Sequence, residues 1–288
     1  MAISKILKYL MINLVLLYQR SKMRLLRKTG NQFFRMDSCG TSLAFSDQGE
    51  GPAILLIHGI TENASAFDSL IKRLKNRFRL IALDCRGHGD SDKPKNPKAY
   101  GTNMVEDIRN LLLHLQIDHA CLLGTSMGAE IALRFTVDYP AYVTKLTVIG
   151  SGWSGETESN NYTSVGKTLQ LHQSFGPWIK KTGGMGYFSA DSIGIATADS
   201  MLKGQDIDAL SSVFLGMSEI IQLSEEAIGN IKIQVLAICG ELDEERPCLE
   251  KMNGKIEKFT IKVIPNKGHM DLADDPDYYS IIEQFLCE

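Results

Sequence analysis

The nine residues "LLGTSMGAE" (122–130) place a serine between two glycines, directly after a short apolar run. Gly, Thr and Ser are common where a strand turns into a helix, so the segment alone is compatible with an ordinary turn. It also matches a sharp strand-to-helix bend that exposes Ser126 as a nucleophile, with the glycines leaving room for the backbone. This short pattern is weak evidence by itself, and the surrounding sequence has to decide.

The composition limits the classes of protein to consider. A chain of 288 residues with 44% hydrophobic and 23% charged residues is typical of a globular protein with a sizeable core. Its net charge of −3 gives no indication of a nucleic-acid partner. The six cysteines are scattered without a CxxC pair, which predicts a reducing, cytoplasmic location with neither disulfides nor a cysteine-ligated metal.

Residues 1–31 form a basic segment that differs from the rest. The first 35 residues hold eight Lys or Arg and no acid, which leaves 23 basic and 34 acidic residues beyond them. Within it, "ISKILKYLMINLVLLYQ" (3–19) is amphipathic at the helical period, but it is short and charged for a membrane span and lacks a signal-peptide cleavage site. Three interpretations stay open: a helix on an anionic membrane surface, a helix packed on the domain or a partner, and a leader before a later start such as Met36.

From residue 32 onwards, strand and helix patterns alternate. A hairpin is predicted for "QFFRMDS" and "SLAFSDQG", joined by "CGT". Six apolar runs predict buried strands at 53–59, 78–84, 120–124, 143–150, 233–240 and 259–265, and helical patterns occur at 65–76, 104–115, 127–139 and 278–286. This alternation predicts an α/β fold with a mostly parallel sheet and helices on both faces.

The alternation is interrupted between the sixth and seventh predicted strands. About 70 residues with Gly-rich breaks and helix-like pieces follow residue 150, and a structureless loop of that length is improbable. We therefore predict a helical cap at 151–222, inserted between two parts of the core at 32–150 and 223–288.

Polar clusters follow the predicted strands at their carboxyl ends, where such sheets bind ligands. They are "HGI" (58–60), "DCRGHGDSD" (84–92), Ser126, Asp243 in "GELDEERP" and His269 in "NKGHMD". The chain order Ser, Asp, His is the one expected of a hydrolase built on this kind of sheet.

These motifs together resemble the α/β-hydrolase superfamily, of the type shared by esterases, lactonases and C–C bond hydrolases. The resemblance covers about residues 32–288 and implies a cofactor-free and metal-free serine hydrolase with a small-molecule substrate. Haloalkane dehalogenases and epoxide hydrolases, which are otherwise similar, have an aspartate in place of the serine.

The resemblance implies a chemical role for each of the matching residues. Ser126 would be the nucleophile, His269 the base that takes its proton, and Asp243 the carboxylate that orients the imidazole. The backbone N–H groups of Ile60 and Met127 would stabilise the oxyanion.

Other polar residues near these motifs have structural interpretations. Asp84 and His88 are expected to hold their loop together, and His58 to shape the oxyanion turn. After the strand at 143–150, where some relatives place the acid, the first acid is the distant Glu156, which favours Asp243.

The predicted cap is rich in large apolar side chains, which suggest either an apolar substrate pocket or simple packing of the cap. These pocket candidates are Trp153, Phe175, Trp178, Phe188, Phe214 and Met217. We expect the hydrolysis of a small apolar ester. A lactone, thioester or C–C bond substrate stays open, as do a slow-turnover ligand receptor and a membrane-held scaffold, and the sequence does not indicate an oligomeric state.

Overall fold

The computed structural model describes residues 33–155, 160–185 and 188–288. The predicted basic segment at 1–31 lies outside the described residues, so its interpretations stay predictions. Among the helices that are described, none combines the length and apolarity needed to cross a membrane.

An eight-stranded sheet forms the centre of the molecule, in the order β1-β2-β4-β3-β5-β6-β9-β10. Its strands are Phe33–Ser38 (β1), Thr41–Gln48 (β2), Ala53–Ile57 (β3), Arg79–Leu83 (β4), Ala120–Thr125 (β5), Val143–Ile149 (β6), Gln234–Gly240 (β9) and Phe259–Ile264 (β10). The β1–β2 and β2–β4 pairs are antiparallel, and the remaining pairs are parallel. The predicted mostly parallel α/β sheet is confirmed.

The predicted hairpin between β1 and β2 turns at two residues. Ser38 pairs with Thr41, and Cys39 and Gly40 between them have φ values of 51° and 72°. Two successive positive φ angles match the twist of a tight two-residue hairpin turn. Gly40 adopts such an angle without strain because it has no Cβ atom.

Helices cover both faces of the sheet because its strands are apolar on both faces. Along β3, Leu55 and Ile57 pack in one core cluster, whereas Ile54 and Leu56 pack in a second cluster on the opposite face. The first face carries Thr102–His114 (α2) and Met127–Asp138 (α3), and the second carries Asp68–Leu74 (α1) and Pro276–Cys287 (α10). A 3₁₀ turn, Ala64–Phe67, precedes α1 where the sequence pattern predicts one continuous helix.

The segment between β6 and β9 contains the helices expected of a cap. They are Asn160–His172 (α4), Gly176–Thr182 (α5), Ser192–Ser200 (α6) and Ile207–Ile220 (α7), followed by the short Glu225–Gly229 (α8); Arg246–Glu250 (α9) follows β9. The Gly-rich break also holds two short antiparallel strands, Gly184–Met185 (β7) and Phe188–Ser189 (β8), which the prediction of a helical cap did not include.

The strand order changes direction between β3 and β5. The chain runs from β3 outwards to β4 and then returns to place β5 on the other side of β3. A crevice opens at the carboxyl ends of the strands at such a point, and it is where ligands bind in open α/β sheets. Gly59 and Ser126 lie on its two sides.

Candidate active site

Ser126 lies at the bend between β5 and α3 in a strained conformation. Its φ of 51° and ψ of −118° are unusual for a residue with a Cβ atom. Such backbone geometry costs about 1–3 kcal/mol and persists only where neighbours enforce it. The backbone N–H of Ser126 donates to the carbonyl of Ile149 at 2.7 Å, and its carbonyl accepts from the N–H of Ala129 at 2.8 Å. The bend therefore presents the side chain at the end of the sheet.

The two glycines that flank Ser126 are required by close backbone contacts. A Cβ atom added to Gly124 would lie 2.1 Å from the carbonyl oxygen of Gly128. A Cβ atom added to Gly128 would lie 2.1 Å from the carbonyl oxygen of Ile57. The beginning of α3 thus sits directly against β3 and β5, and this contact positions the serine.

His269 and Asp243 meet Ser126 from two distant parts of the sequence. The Nε2 atom of His269 lies 3.1 Å from Ser126 Oγ, and its Nδ1 atom lies 3.1 Å and 3.2 Å from the two carboxylate oxygens of Asp243. Asp243 follows β9 and His269 follows β10, so adjacent parallel strands bring the pair together. The structure therefore joins the three side chains that the sequence singles out.

The protonation of His269 is set by two opposing effects. Burial of the ring lowers its pKa. The hydrogen bond and charge of Asp243, with the charges of Glu245 and Glu62, together raise the pKa by more than burial lowers it, so it lies above its ordinary value. An imidazole in this environment accepts a proton from Ser126 more readily than an isolated one.

The turn after β3 also lies close to Ser126. A Cβ atom added to Gly59 would lie 3.4 Å from Ser126 Cβ. The carbonyl of Gly59 accepts from His58 Nδ1 at 2.7 Å and from the Glu62 N–H at 3.2 Å. Because a trans peptide directs its carbonyl and its N–H in opposite directions, these bonds also fix the orientation of the Ile60 N–H.

Met127 supplies a second N–H next to the serine. It is the first residue of α3, so its N–H has no carbonyl partner within the helix and lies at the positive end of the helix dipole. Both N–H groups that the resemblance assigns to an oxyanion hole therefore belong to segments beside Ser126.

His58 and His88 are buried and neutral, as expected of structural residues. Burial lowers the pKa of His58 to about 4 and that of His88 to about 3. The Cys85 N–H donates to His58 Nε2 at 3.0 Å, so the ring joins the ends of β3 and β4. Asp84 holds the adjacent loop, since its carboxylate accepts from the backbone N–H groups of Ala64 and Asp90.

The six apolar pocket candidates separate into two groups. Trp178 and Phe214 belong to a buried cap cluster, against which Phe175 and Phe188 pack. Trp153 and Met217 lie in the core cluster on the sheet, and the Trp153 indole N–H donates to the carbonyl of Leu223 at 2.8 Å. The first four residues stay candidates for a substrate pocket, whereas the packing of the other two explains their apolar character.

Glu130 is a buried acid near the site that the sequence analysis missed. It lies one turn beyond Ser126 in α3, and its carboxyl accepts from Ser151 Oγ at 2.9 Å and from the Tyr162 hydroxyl at 2.6 Å. Burial raises its pKa to about 8. The signal that could have found it is a single acid inside the otherwise apolar stretch "MGAEIAL" (127–133).

Comparisons with known proteins agree with this architecture. A family model described as the alpha/beta hydrolase fold matches residues 52–176. The solved esterase of Exiguobacterium antarcticum is similar with a TM-score of 0.72 at 19% identity, covering 89% of this chain and 100% of that one. At this identity the likeness shows the fold alone.

Two curated proteins are similar in sequence. The 2-(acetamidomethylene)succinate hydrolase of Mesorhizobium japonicum is 39% identical over 43% of this chain and 45% of its own length. A putative 2-succinyl-6-hydroxy-2,4-cyclohexadiene-1-carboxylate synthase of Bacillus subtilis is 26% identical over 86% of this chain and 96% of its own. The relatives matched at 39% identity are covered over only 33% to 45% of their length. Strand order, the bend at Ser126 and these matches together show that the chain has the α/β-hydrolase fold.

Proposed function

We propose that the protein is a serine hydrolase that cleaves a carboxylic ester or a related acyl bond through an acyl-enzyme on Ser126. The observation that carries this proposal is the hydrogen-bonded series from Ser126 Oγ through His269 to Asp243, with each contact between 3.1 and 3.2 Å. A serine hydroxyl is a weak nucleophile at neutral pH, and a base within this distance is what activates it.

In the first step, Ser126 Oγ attacks the carbonyl carbon while its proton passes to His269 Nε2. The charge that develops on the carbonyl oxygen would be met by the N–H groups of Ile60 and Met127, and the loss of one such donor typically costs about 2.7–4 kcal/mol of transition-state stabilisation. His269 then returns the proton to the leaving group as the carbon–oxygen bond of the ester breaks.

In the second step, His269 takes a proton from a water molecule, and the resulting hydroxide attacks the acyl-enzyme. The carboxylic acid leaves as the proton returns to Ser126 Oγ. Asp243 stabilises the imidazolium in both steps because its carboxylate contacts Nδ1. This cycle consumes only ester and water.

The aromatic side chains of the cap favour a small apolar substrate. Phe214 and Phe175 pack edge-to-face with ring centroids 6.1 Å apart, and the ring of Tyr162 lies 6.0 Å from that of Phe214. Aromatic side chains of this kind commonly line sites that take apolar ligands.

The test is turnover of a panel of p-nitrophenyl esters, combined with labelling by a fluorophosphonate and mapping of the labelled peptide. We expect steady turnover, a label on Ser126, and a loss of at least about 10³-fold in kcat for Ser126→Ala. Ser65→Ala is the control, since Ser65 lies in the 3₁₀ turn before α1.

Two results would contradict the proposal. Turnover that Ser126→Ala leaves unchanged would exclude the acyl-enzyme on this residue. A burst of p-nitrophenol without steady turnover would instead favour a ligand receptor that keeps the fold and the three side chains.

A further inference from the structure

Two side chains, one from the core and one from the cap, pack against both hydrophobic clusters. Within the described residues, Ile60 and Tyr162 are the partly buried apolar side chains that pack against both the core cluster and the cap cluster. Ile60 belongs to the turn next to Ser126, and Tyr162 lies on cap helix α4. The contact between cap and core, here called the seam, therefore includes the turn next to Ser126.

Glu130 forms a hydrogen bond with Tyr162 at this seam. The Tyr162 hydroxyl donates to Glu130 Oε2 at 2.6 Å, so a polar bond joins α4 to the first turn of α3. Glu130 is only 6% exposed, and its own N–H donates to the carbonyl of Ser126 at 3.3 Å. A hydrogen bond shielded from water in this way restricts the Tyr162 ring more than an exposed bond could.

The other oxygen of Glu130 reaches the segment behind His269. Ser151 Oγ donates to Glu130 Oε1 at 2.9 Å, and Ser151 follows Gly150. A Cβ atom added to Gly150 would lie 3.0 Å from His269 Cε1, so the backbone there packs directly on the imidazole. One carboxyl group thus contacts both the cap and the support of the general base.

We propose that Glu130 is a positioning residue for the proposed hydrolase reaction, whose carboxyl bridges Tyr162 of the cap and Ser151 beside His269 and thereby holds the cap over Ser126. This inference rests on the proposed function. Glu130 itself does not touch the reacting atoms; it acts through Tyr162 and Ser151.

The isosteric variant Glu130→Gln separates the bridge from the ability of Glu130 to ionise. Its amide can still accept from Ser151 and pair with the Tyr162 hydroxyl, so the bridge survives while the ionisable group is lost. Glu130→Ala removes both bonds, and Tyr162→Phe removes only the bond to the cap without changing the ring.

The molecule also provides a matched control. At the other end of α3, the Tyr139 hydroxyl donates to Glu106 of α2, which is the same pair of side chains away from the cap. Tyr139→Phe therefore removes a tyrosine–glutamate bond without affecting the seam.

The experiment measures kcat and KM of each variant with the p-nitrophenyl ester that the wild type hydrolyses best. We expect Tyr162→Phe to lower kcat/KM by about ten-fold, the loss from one buried hydrogen bond, and Glu130→Ala, which also breaks the bond to Ser151, to lower it by at least as much. The double variant should lose little more than Glu130→Ala alone, because both changes break the same bridge. Glu130→Gln and Tyr139→Phe should stay within about three-fold of the wild type.

Independent, multiplying losses in the double variant would overturn the inference, as would a loss in Glu130→Gln equal to that in Glu130→Ala. An equal loss in Tyr139→Phe would also overturn it.

Circular dichroism and thermal melting show whether Glu130→Ala folds. If this variant does not fold, Tyr162→Phe and Glu130→Gln decide the outcome. Fluorophosphonate labelling of wild-type Ser126 distinguishes the two proposals: without labelling the proposed function fails, whereas labelling with unaffected variants contradicts the bridge alone.

Discussion

Among the individual residues, His269 depends most on its partner for its chemistry. Burial alone would lower its pKa and leave a weak base, but Asp243, whose side chain is fully buried, raises the pKa above its ordinary value. In the proposed mechanism only the neutral imidazole accepts the serine proton, so activity should rise with pH as His269 loses its proton.

The substitution Asp243→Asn should move this rise to lower pH. The amide keeps the shape of the carboxylate but lacks its charge, so the pKa of His269 should fall and the acid limb of kcat/KM should shift downwards. The plateau should also drop by several orders of magnitude, since the imidazolium loses its stabilising charge. The measurement is the pH dependence of ester hydrolysis from pH 5 to 9.

Glu250→Gln is the control for this prediction. Glu250 is an exposed carboxylate paired with Arg246 at 2.7 Å, and its neutralisation should leave the limb in place. An unchanged limb in Asp243→Asn would show that Asp243 does not control the protonation of the base.

On the scale of the elements, the bend between β5 and α3 is held by backbone packing. Gly128 brings the start of α3 to within van der Waals contact of β3, and this contact leaves no space for a methyl group. The strain at Ser126 persists because the strand on one side and the helix on the other are both fixed by the core.

Gly128→Ala should therefore destabilise the protein by a few kcal/mol, because a Cβ atom 2.1 Å from the Ile57 carbonyl forces α3 away from the sheet. The free energy of unfolding in urea measures this loss. Gly229→Ala is the matched control: it lies at the end of α8, and its added Cβ would meet only the Lys255 carbonyl, at 3.7 Å. Equal stability of both variants would contradict the close-packing argument.

For the whole molecule, the buried Glu130 links stability to pH. Its pKa is raised from 4.5 to about 8, chiefly by burial, while Tyr162 and Ser151 bond to it and Glu245 and His269 act on it through their charges. The unfolded chain ionises this carboxyl near pH 4.5, whereas the folded protein keeps it protonated up to about 8. The stability that this group contributes is therefore full below pH 4.5 and is lost as the pH rises to 8.

Glu130→Gln should remove this pH dependence. Relative to the variant, the free energy of unfolding of the wild type should fall by up to about 1.4 kcal/mol for each pH unit within this window, and both should run in parallel outside it. Urea unfolding at pH 5, 6, 7 and 8 measures the difference between the two proteins. A difference that stays constant over this range would show that Glu130 ionises normally in the fold.

Much of this architecture could be predicted because it depends on local patterns. Apolar runs such as 53–57 and 120–125 are buried on both faces of the sheet, so their composition alone identifies them as strands. Ser126, Asp243 and His269 could be found in the same way, since each follows such a strand and the carboxyl ends of parallel strands share one edge.

Other features depend on contacts between distant segments. Nothing near Trp153 and Met217 in the sequence distinguishes a residue packed on the sheet from one lining a pocket, and the structure places both in the core. The two short strands β7 and β8 likewise form only because Gly184 pairs with Ser189, in a segment whose composition suggests an irregular break.

The sequence by itself therefore determined the α/β class, the strand order in the chain and the three polar side chains at the carboxyl edge. Periodicity and motif position are local properties, and they suffice for these conclusions. Only the tertiary structure decided that Nε2 of His269 lies 3.1 Å from Ser126 Oγ and that Glu130 joins the cap to the core. Distances across elements and the burial of a charged group arise from packing between residues far apart in the chain, which no local pattern encodes.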